Sequence, residues 1–340
     1  MNIVITGGAG FLGALLARTL LKQGSLALNG AAPVVVQRIT LVDRAPAPAD
    51  VAADPRIASV VGDLNDLLQA QQAVPASTDL VFHLAAAVSA ECEANFDLGM
   101  RSNFAATHQL LEACRALGSQ TGKPVHLVFA SSLAVFGNSP EQPLPAVITD
   151  TTLPTPQGSY GIQKFIGEQL VTDYARKGFV HGRSVRLMTV SVRPGLPNGA
   201  ASGFLSGMIR EPLAGLRASV PVSADTRVAL ASPARAVEGI LRAAEVDDIA
   251  WGARTAVNLP ALHTTVGEMA AALEKAAGRA TADLLDWVPD AAIARLVRGW
   301  PGNVDAARAR SMGLLADVSF EDIVRQYIAE NPAAVKHAAA

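Results

Sequence analysis

Apolar and polar positions along this chain follow two periods. Ile3-Val-Ile5 is a short run of β-branched residues, the pattern of a strand buried on both faces. After a cluster of glycines the period changes. Leu15, Leu16, Thr19 and Leu20 recur at helical spacing, with polar Arg18, Lys22 and Gln23 between or after them. Further strand-like runs fall at Arg38–Asp43, Ile57–Val61, Asp79–His83, Val125–Ala130 and Ser184–Val192. Helical patterns run from about Phe96 to Leu117 and from Tyr160 onward. Strands alternating with helices predict an α/β protein with a doubly wound parallel sheet. Two capping signals predict later helices: Thr265-x-x-Glu268 before Met269 and Leu273, and Ser319-x-x-Asp322 before Ile323, Tyr327 and Ile328. The expected organisation is a nucleotide-binding domain over 1–180, a mixed segment over 181–332 that completes the sheet and forms a small α/β substrate lobe, and a frayed Ala-rich tail over 333–340.

The glycines change this from topology to chemistry. Gly8, Gly10 and Gly13 make a Gly-x-Gly-x-x-Gly match placed between a strand and a helix, the context that gives the motif meaning. Glycines there allow a sharp turn, close approach of a pyrophosphate and tight packing of helix on strand. The helix N-terminus adds unpaired N–H groups and partial positive charge. A Rossmann-type dinucleotide site is therefore expected. Asp43, ending the second strand, can accept from a ribose diol and would repel a 2′-phosphate, which favours NAD over NADP; Arg44 beside it leaves room for NADP. Asp63 and Leu64 follow the third strand, where Asp63 can accept from the adenine amino group or cap the next helix. The small residues Leu84, Ala85 and Ala86 end the fourth strand and leave space for a flat ligand, with Ser89 just beyond, facing substrate. His83 in its apolar run reads as a packed core histidine. Asn103 sits inside a helical pattern, holding a water or carbonyl beneath the site or lying on a solvated face.

Composition narrows the setting. The chain has 340 residues, half of them apolar and 17% charged, with a formal charge of −2. This gives no electrostatic reason to expect nucleic acid or an anionic membrane as partner. Cys92 and Cys114 make neither C-x-x-C nor a disulfide framework, and the six histidines form no metal pattern. Met1 leads directly into a strand and no apolar run is long enough to span a bilayer. A soluble, reduced, cytoplasmic protein is expected.

Tyr160 and Lys164 stand four apart and share one helix face. Oxidation of an alcohol needs a base for the hydroxyl proton as hydride leaves carbon. Tyrosine, with a free pKa of about 10, is a poor base at neutral pH. A lysine cation ~4 Å away is worth about 4 kcal/mol at an effective dielectric of about 20, roughly three pKa units before desolvation is subtracted. Tyr160 is thus expected as base and Lys164 as its activator.

Thr6-Gly-Gly-Ala-Gly-Phe-Leu-Gly13, His83-Leu-Ala-Ala86, Ser131-Ser132…Val135-Phe136-Gly137, Tyr160-x-x-x-Lys164 and Arg193-Pro-Gly195 occur in one order over the first 195 residues. In this the chain resembles the extended short-chain dehydrogenases/reductases. Aligned on Val-Phe-Gly, Ser132 falls at the family's catalytic hydroxyl position, which implies that it orients the substrate oxygen while Lys164 also anchors the ribose. Phe136 stands where a Tyr is commoner, which removes no catalytic group. The resemblance implies NAD contacts from Gly7, Gly10, Phe11, Leu12, Gly13, Asp43, Asp63, Leu64, Leu84, Ala85, Ala86, Asn103, Tyr160, Lys164 and Pro194. It also implies a homodimer paired through the helices at 96–117 and 160–176. Further likeness in Arg193–Phe204, Ile209–Leu213 and Asn258–Met269 is to a branch that oxidises the 2-hydroxyl of a four-carbon sugar acid, and covers most of the chain. Such a substrate needs a cation for its carboxylate and partners for its hydroxyls. Arg193, Arg210 and Arg227 are the available cations, beside Ser89, Asn198 and Ser202. Two rivals use the same machinery: a nucleotide-sugar epimerase or dehydratase, and a dehydrogenase of another small hydroxy or amino acid. A non-catalytic NAD-binding protein would have no need of Ser132, Tyr160 and Lys164 together.

Overall fold

The computed structural model describes residues 1–195 and 202–336. Among these residues, seven parallel strands form one sheet. In chain order they include β1 (Asn2–Thr6), β2 (Arg38–Asp43), β3 (Ile57–Val61), β4 (Leu80–His83), β5 (Val125–Ser132) and β6 (Val180–Leu187). Two short strands, β7 (Thr189–Val190) and β8 (Arg227–Ala231), lie outside this sheet, and β9 (Val257–Asn258) closes its far edge. The spatial order is β9-β6-β5-β4-β1-β2-β3, so winding reverses between β1 and β4. A crevice opens at the carboxyl ends of strands where the order reverses, the usual place for a ligand in such sheets.

Continuous apolar runs follow from burial on both faces. Ile3, Ile5, Leu41, Leu80 and Phe82 pack against α1 (Phe11–Gln23), through Leu16 and Leu20. Val4, Val42, Val81, Leu127 and Phe129 pack on the opposite side against Leu110, Leu111 and Val171. Those last residues belong to α2 (Ala106–Thr121) and α3 (Ser159–Arg176). The helical pattern expected over 96–117 extends to Thr121 and contains a π-helical stretch at Met100–Ala105.

The second half differs from expectation at one element. The strand read as Ser184–Val192 starts earlier, at Val180, and stops at Leu187. Beyond Met188 the chain leaves the central sheet, and Thr189–Val190 pairs with Leu230–Ala231 of β8. The boundary drawn after residue 180 therefore falls inside β6. The lobe holds α4 (Gly203–Leu213), α5 (Val266–Ala277) and α6 (Phe320–Glu330), packed through Met208, Ile209, Met269, Leu273, Ile323 and Val324. Both capping signals are realised: Thr265 and Glu268 exchange bonds at the start of α5, and Ser319 accepts from the Asp322 amide at the start of α6. Of the tail expected over 333–340, residues 333–336 are held on the lobe, and 337–340 lie outside the described residues. Val335 packs on the lobe core and the Lys336 amide donates to Leu213 O at 2.8 Å.

Candidate active site

The crevice is a cavity of ≈ 660 Å³, within the range of small-molecule sites. The candidate cofactor and substrate residues line it, with three exceptions, of which Arg227 stands at the start of β8 outside the cavity. Asn198 lies outside the described residues. Asn103 is buried behind the wall. Its Oδ1 accepts from the Ala87 amide at 2.8 Å, and its Nδ2 donates to Ala87 O at 3.2 Å and to Gln163 Oε1 at 2.8 Å. It therefore pins the backbone strip after β4 to α3, and the π-helical stretch places the amide there.

At one end, the glycine turn closes between β1 and α1. Gly7 has φ 71°, and a Cβ on Gly13 would stand 2.2 Å from Gly7 O, so only glycine permits this contact. No side chain caps α1 at Gly10, leaving its N-terminal amides to a ligand. The Asp43 carboxylate reaches the cavity but also accepts from the Ala9 and Gly10 amides at 3.0 and 3.2 Å. Asp63 caps the helix starting at Leu64, accepting from the Asn65 amide, and pairs with Arg44 at 2.9 Å. These groups fit a dinucleotide: an uncapped helix end beside a cradle that a Cβ would fill, with an acid at the end of β2.

At the other end, Ser132, Tyr160 and Lys164 converge. A Cβ on Gly161 would lie 2.1 Å from Ala134 O, so α3 abuts the turn that follows Ser132 at the end of β5. Ser132 Oγ accepts from the Ala134 amide at 3.1 Å. Burial pushes the Tyr160 phenol up to about 12, while a hydrogen bond from Ser132 and the charge of Arg193 pull it down. This corrects the expectation of a phenol lowered by its lysine. Lys164 Nζ is 5.8 Å from the Tyr160 ring centroid and donates instead to Ala130 O at 2.8 Å. Desolvation therefore outweighs attraction for both groups, and burial takes the Lys164 ammonium down to about 8 against the pull of Glu168. His83 is a core residue, bonded to Thr6 and Thr107, and burial holds it neutral with a pKa of about 3.

Behind Lys164 lies a network absent from the sequence reading. Glu168 accepts from Ser131 Oγ at 2.5 Å and from Arg186 Nε and Nη2 at 2.9 and 2.7 Å, all buried. Its signal was its place four residues after Lys164, on the same face. Trp300 also lines the cavity; it comes from a distant loop with no local motif.

Fold and site together define an NAD-dependent oxidoreductase with a Rossmann-type cofactor crevice. The family model "NAD dependent epimerase/dehydratase family" matches residues 3–246, and the chain belongs to that family, an extended branch of the short-chain dehydrogenases/reductases. It is 48% identical over 329 residues to a D-erythronate dehydrogenase of Cupriavidus necator, covering 96% of this chain and 98% of that one. A D-erythronate dehydrogenase of Haemophilus influenzae is 38% identical over 330 residues, covering 96% and 99%. The crystal structure of a nucleoside-diphosphate-sugar epimerase from Agrobacterium tumefaciens is 39% identical, with a TM-score of 0.87 over 98% of this chain and 95% of that one. Among the described residues no helix is long and apolar enough to cross a membrane.

Proposed function

We propose that this enzyme oxidises the 2-hydroxyl of D-erythronate to 2-oxo-tetronate with NAD. The observation that carries the reading is the pairing, in one cavity, of the Ser132–Tyr160–Lys164 cluster with the arginines of the lobe. The names and coverage of the two dehydrogenase relatives support it. When bound, NAD would supply the acceptor for the C2 hydride. Ser132 orients the substrate hydroxyl, and Tyr160 takes its proton as the C–H bond breaks. Ser132 favours the phenolate that this transfer requires, offsetting part of the cost of its burial. Lys164 would hold the ribose of the bound cofactor. Small hydroxyl partners, Ser89 and Ser202, line the same space.

The epimerase reading keeps the same cluster but returns the hydride to substrate; the Agrobacterium structure is its support. A homodimer in the cytoplasm belongs to the same proposal, supported by Phe96 and Ile162, which lie 61% and 45% exposed on the two helices expected to pair. The test is NADH formation across aldonates of different length and C2 configuration. Activity should be greatest on the four-carbon acid with the D-erythro configuration. No activity on any four-carbon acid would reject the substrate.

A further inference from the structure

Three arginines compete for the role of carboxylate partner, and their electrostatic situations differ. Arg227 starts β8 on the surface, outside the cavity, where it stabilises the Glu268 carboxylate. Arg210 faces the cavity but is already neutralised: its Nη2 donates to Glu211 Oε1 at 2.5 Å, and its Nη1 donates to the main-chain oxygen of Arg193 at 2.9 Å. Arg193 has no carboxylate partner among the described residues. Its Nη2 donates to Ser202 Oγ at 3.2 Å, and its amide donates to Ser206 Oγ at 3.1 Å. Residues 196–201 contain neither Asp nor Glu.

The surroundings of Arg193 work against its charge. Burial lowers its pKa first and the Arg210 cation lowers it further, while only Tyr160 acts in the opposite direction. A partly buried cation that has no carboxylate of its own, only a serine hydroxyl, is costly until an anion completes it. Tyr160 lies within electrostatic reach, so that anion would sit next to the reacting hydroxyl.

We infer that Arg193 is the receptor for the substrate carboxylate and thereby decides which carbon meets Tyr160. The inference rests on the oxidation reading above and makes it more specific. A guanidinium fork takes both oxygens of a carboxylate and fixes its plane. The carbon bonded to that carboxylate is C2, so its hydroxyl is the one delivered to Ser132 and Tyr160. Arg210 acts through Arg193, as a positioning residue that holds its main chain. The ligand class is a small 2-hydroxy acid, and neutral polyols lack the group that neutralises Arg193.

The experiment compares D-erythronate with its uncharged amide in the wild type and in Arg193→Gln. Calorimetry with 2-deoxy-D-erythronate, which cannot be oxidised at C2, measures acid binding to the NADH-loaded enzyme. Arg193→Gln should lower kcat/KM for the acid by about 10²–10³-fold, chiefly through KM, because a charge partner is removed. The preference for acid over amide should collapse, binding of the 2-deoxy acid should be lost, and NAD affinity should not change. Arg193→Lys, which keeps the charge but not the fork, should restore part of the preference. A retained acid preference in Arg193→Gln would overturn the inference, as would lost NAD affinity with preference intact. If the Gln variant fails to fold, Arg193→Lys decides: an undiminished preference for the acid over the amide refutes the fork. Wild-type turnover of the acids is read first, since its absence sinks the oxidation reading alone; binding of the 2-deoxy acid still decides the role of Arg193.

Discussion

Tyr160→Phe should lower kcat/KM for the acid by about 10²–10⁴-fold, the usual contribution of a positioned general base, while NAD still binds. The substitution removes one oxygen and leaves the ring on α3. Lys164 keeps its bond to Ala130 O, since that contact does not involve the phenol. The pH profile adds a second reading. Burial holds the phenol protonated up to about pH 12 in this structure. The proton must leave before Tyr160 can act as base, so oxidation should speed up as pH rises. That rising limb should vanish with the hydroxyl. Near-normal turnover in Tyr160→Phe would remove Tyr160 from the role of base.

The second large effect falls on stability. Glu168→Gln should lower the unfolding free energy by about 3–5 kcal/mol, because it leaves the Arg186 guanidinium buried without its charge partner. Arg186 and Glu168 have side-chain exposures of 5% and 1%, so solvent cannot substitute. Replacing both, as Glu168→Leu with Arg186→Met, should recover most of the loss, since a buried ion pair often gives way to well-packed apolar residues without net cost. Denaturant titration of the single and double variants checks this. Equal losses in both would mean that the pair matters for packing and not for charge. Ser131, the neighbour of Ser132, also bonds to Glu168. The single variant should therefore slow catalysis as well as weaken the fold.

What the sequence made legible was local. The glycine turn, the i,i+4 pair of Tyr160 and Lys164 and the two capping motifs each depend on spacing within a few residues, and each recurs in the structure at its expected place. What escaped depends on partners distant in the chain. The run Ser184–Val192 is uniformly strand-like, yet it changes sheets at Met188 because Leu230–Ala231 offers the continuing edge. Asn103 looked like an awkward helical residue until Ala87 and Gln163 stood opposite it. The charge balance of the site escapes local spacing for a related reason. Spacing predicts that Lys164 lies near Tyr160, but not that its ammonium turns to Ala130 and that both groups are desolvated. Nor does spacing separate Arg193 from Arg210; only the neighbouring Glu211 does.

The most direct test uses D-erythronate carrying deuterium at C2, with NAD and the wild-type enzyme. Hydride transfer predicts deuterium on the nicotinamide of released NADH, a 2-oxo product without it, and a primary isotope effect on the chemical step. Deuterium kept in an acid of altered configuration, with no net NADH, would contradict oxidation and identify an epimerase.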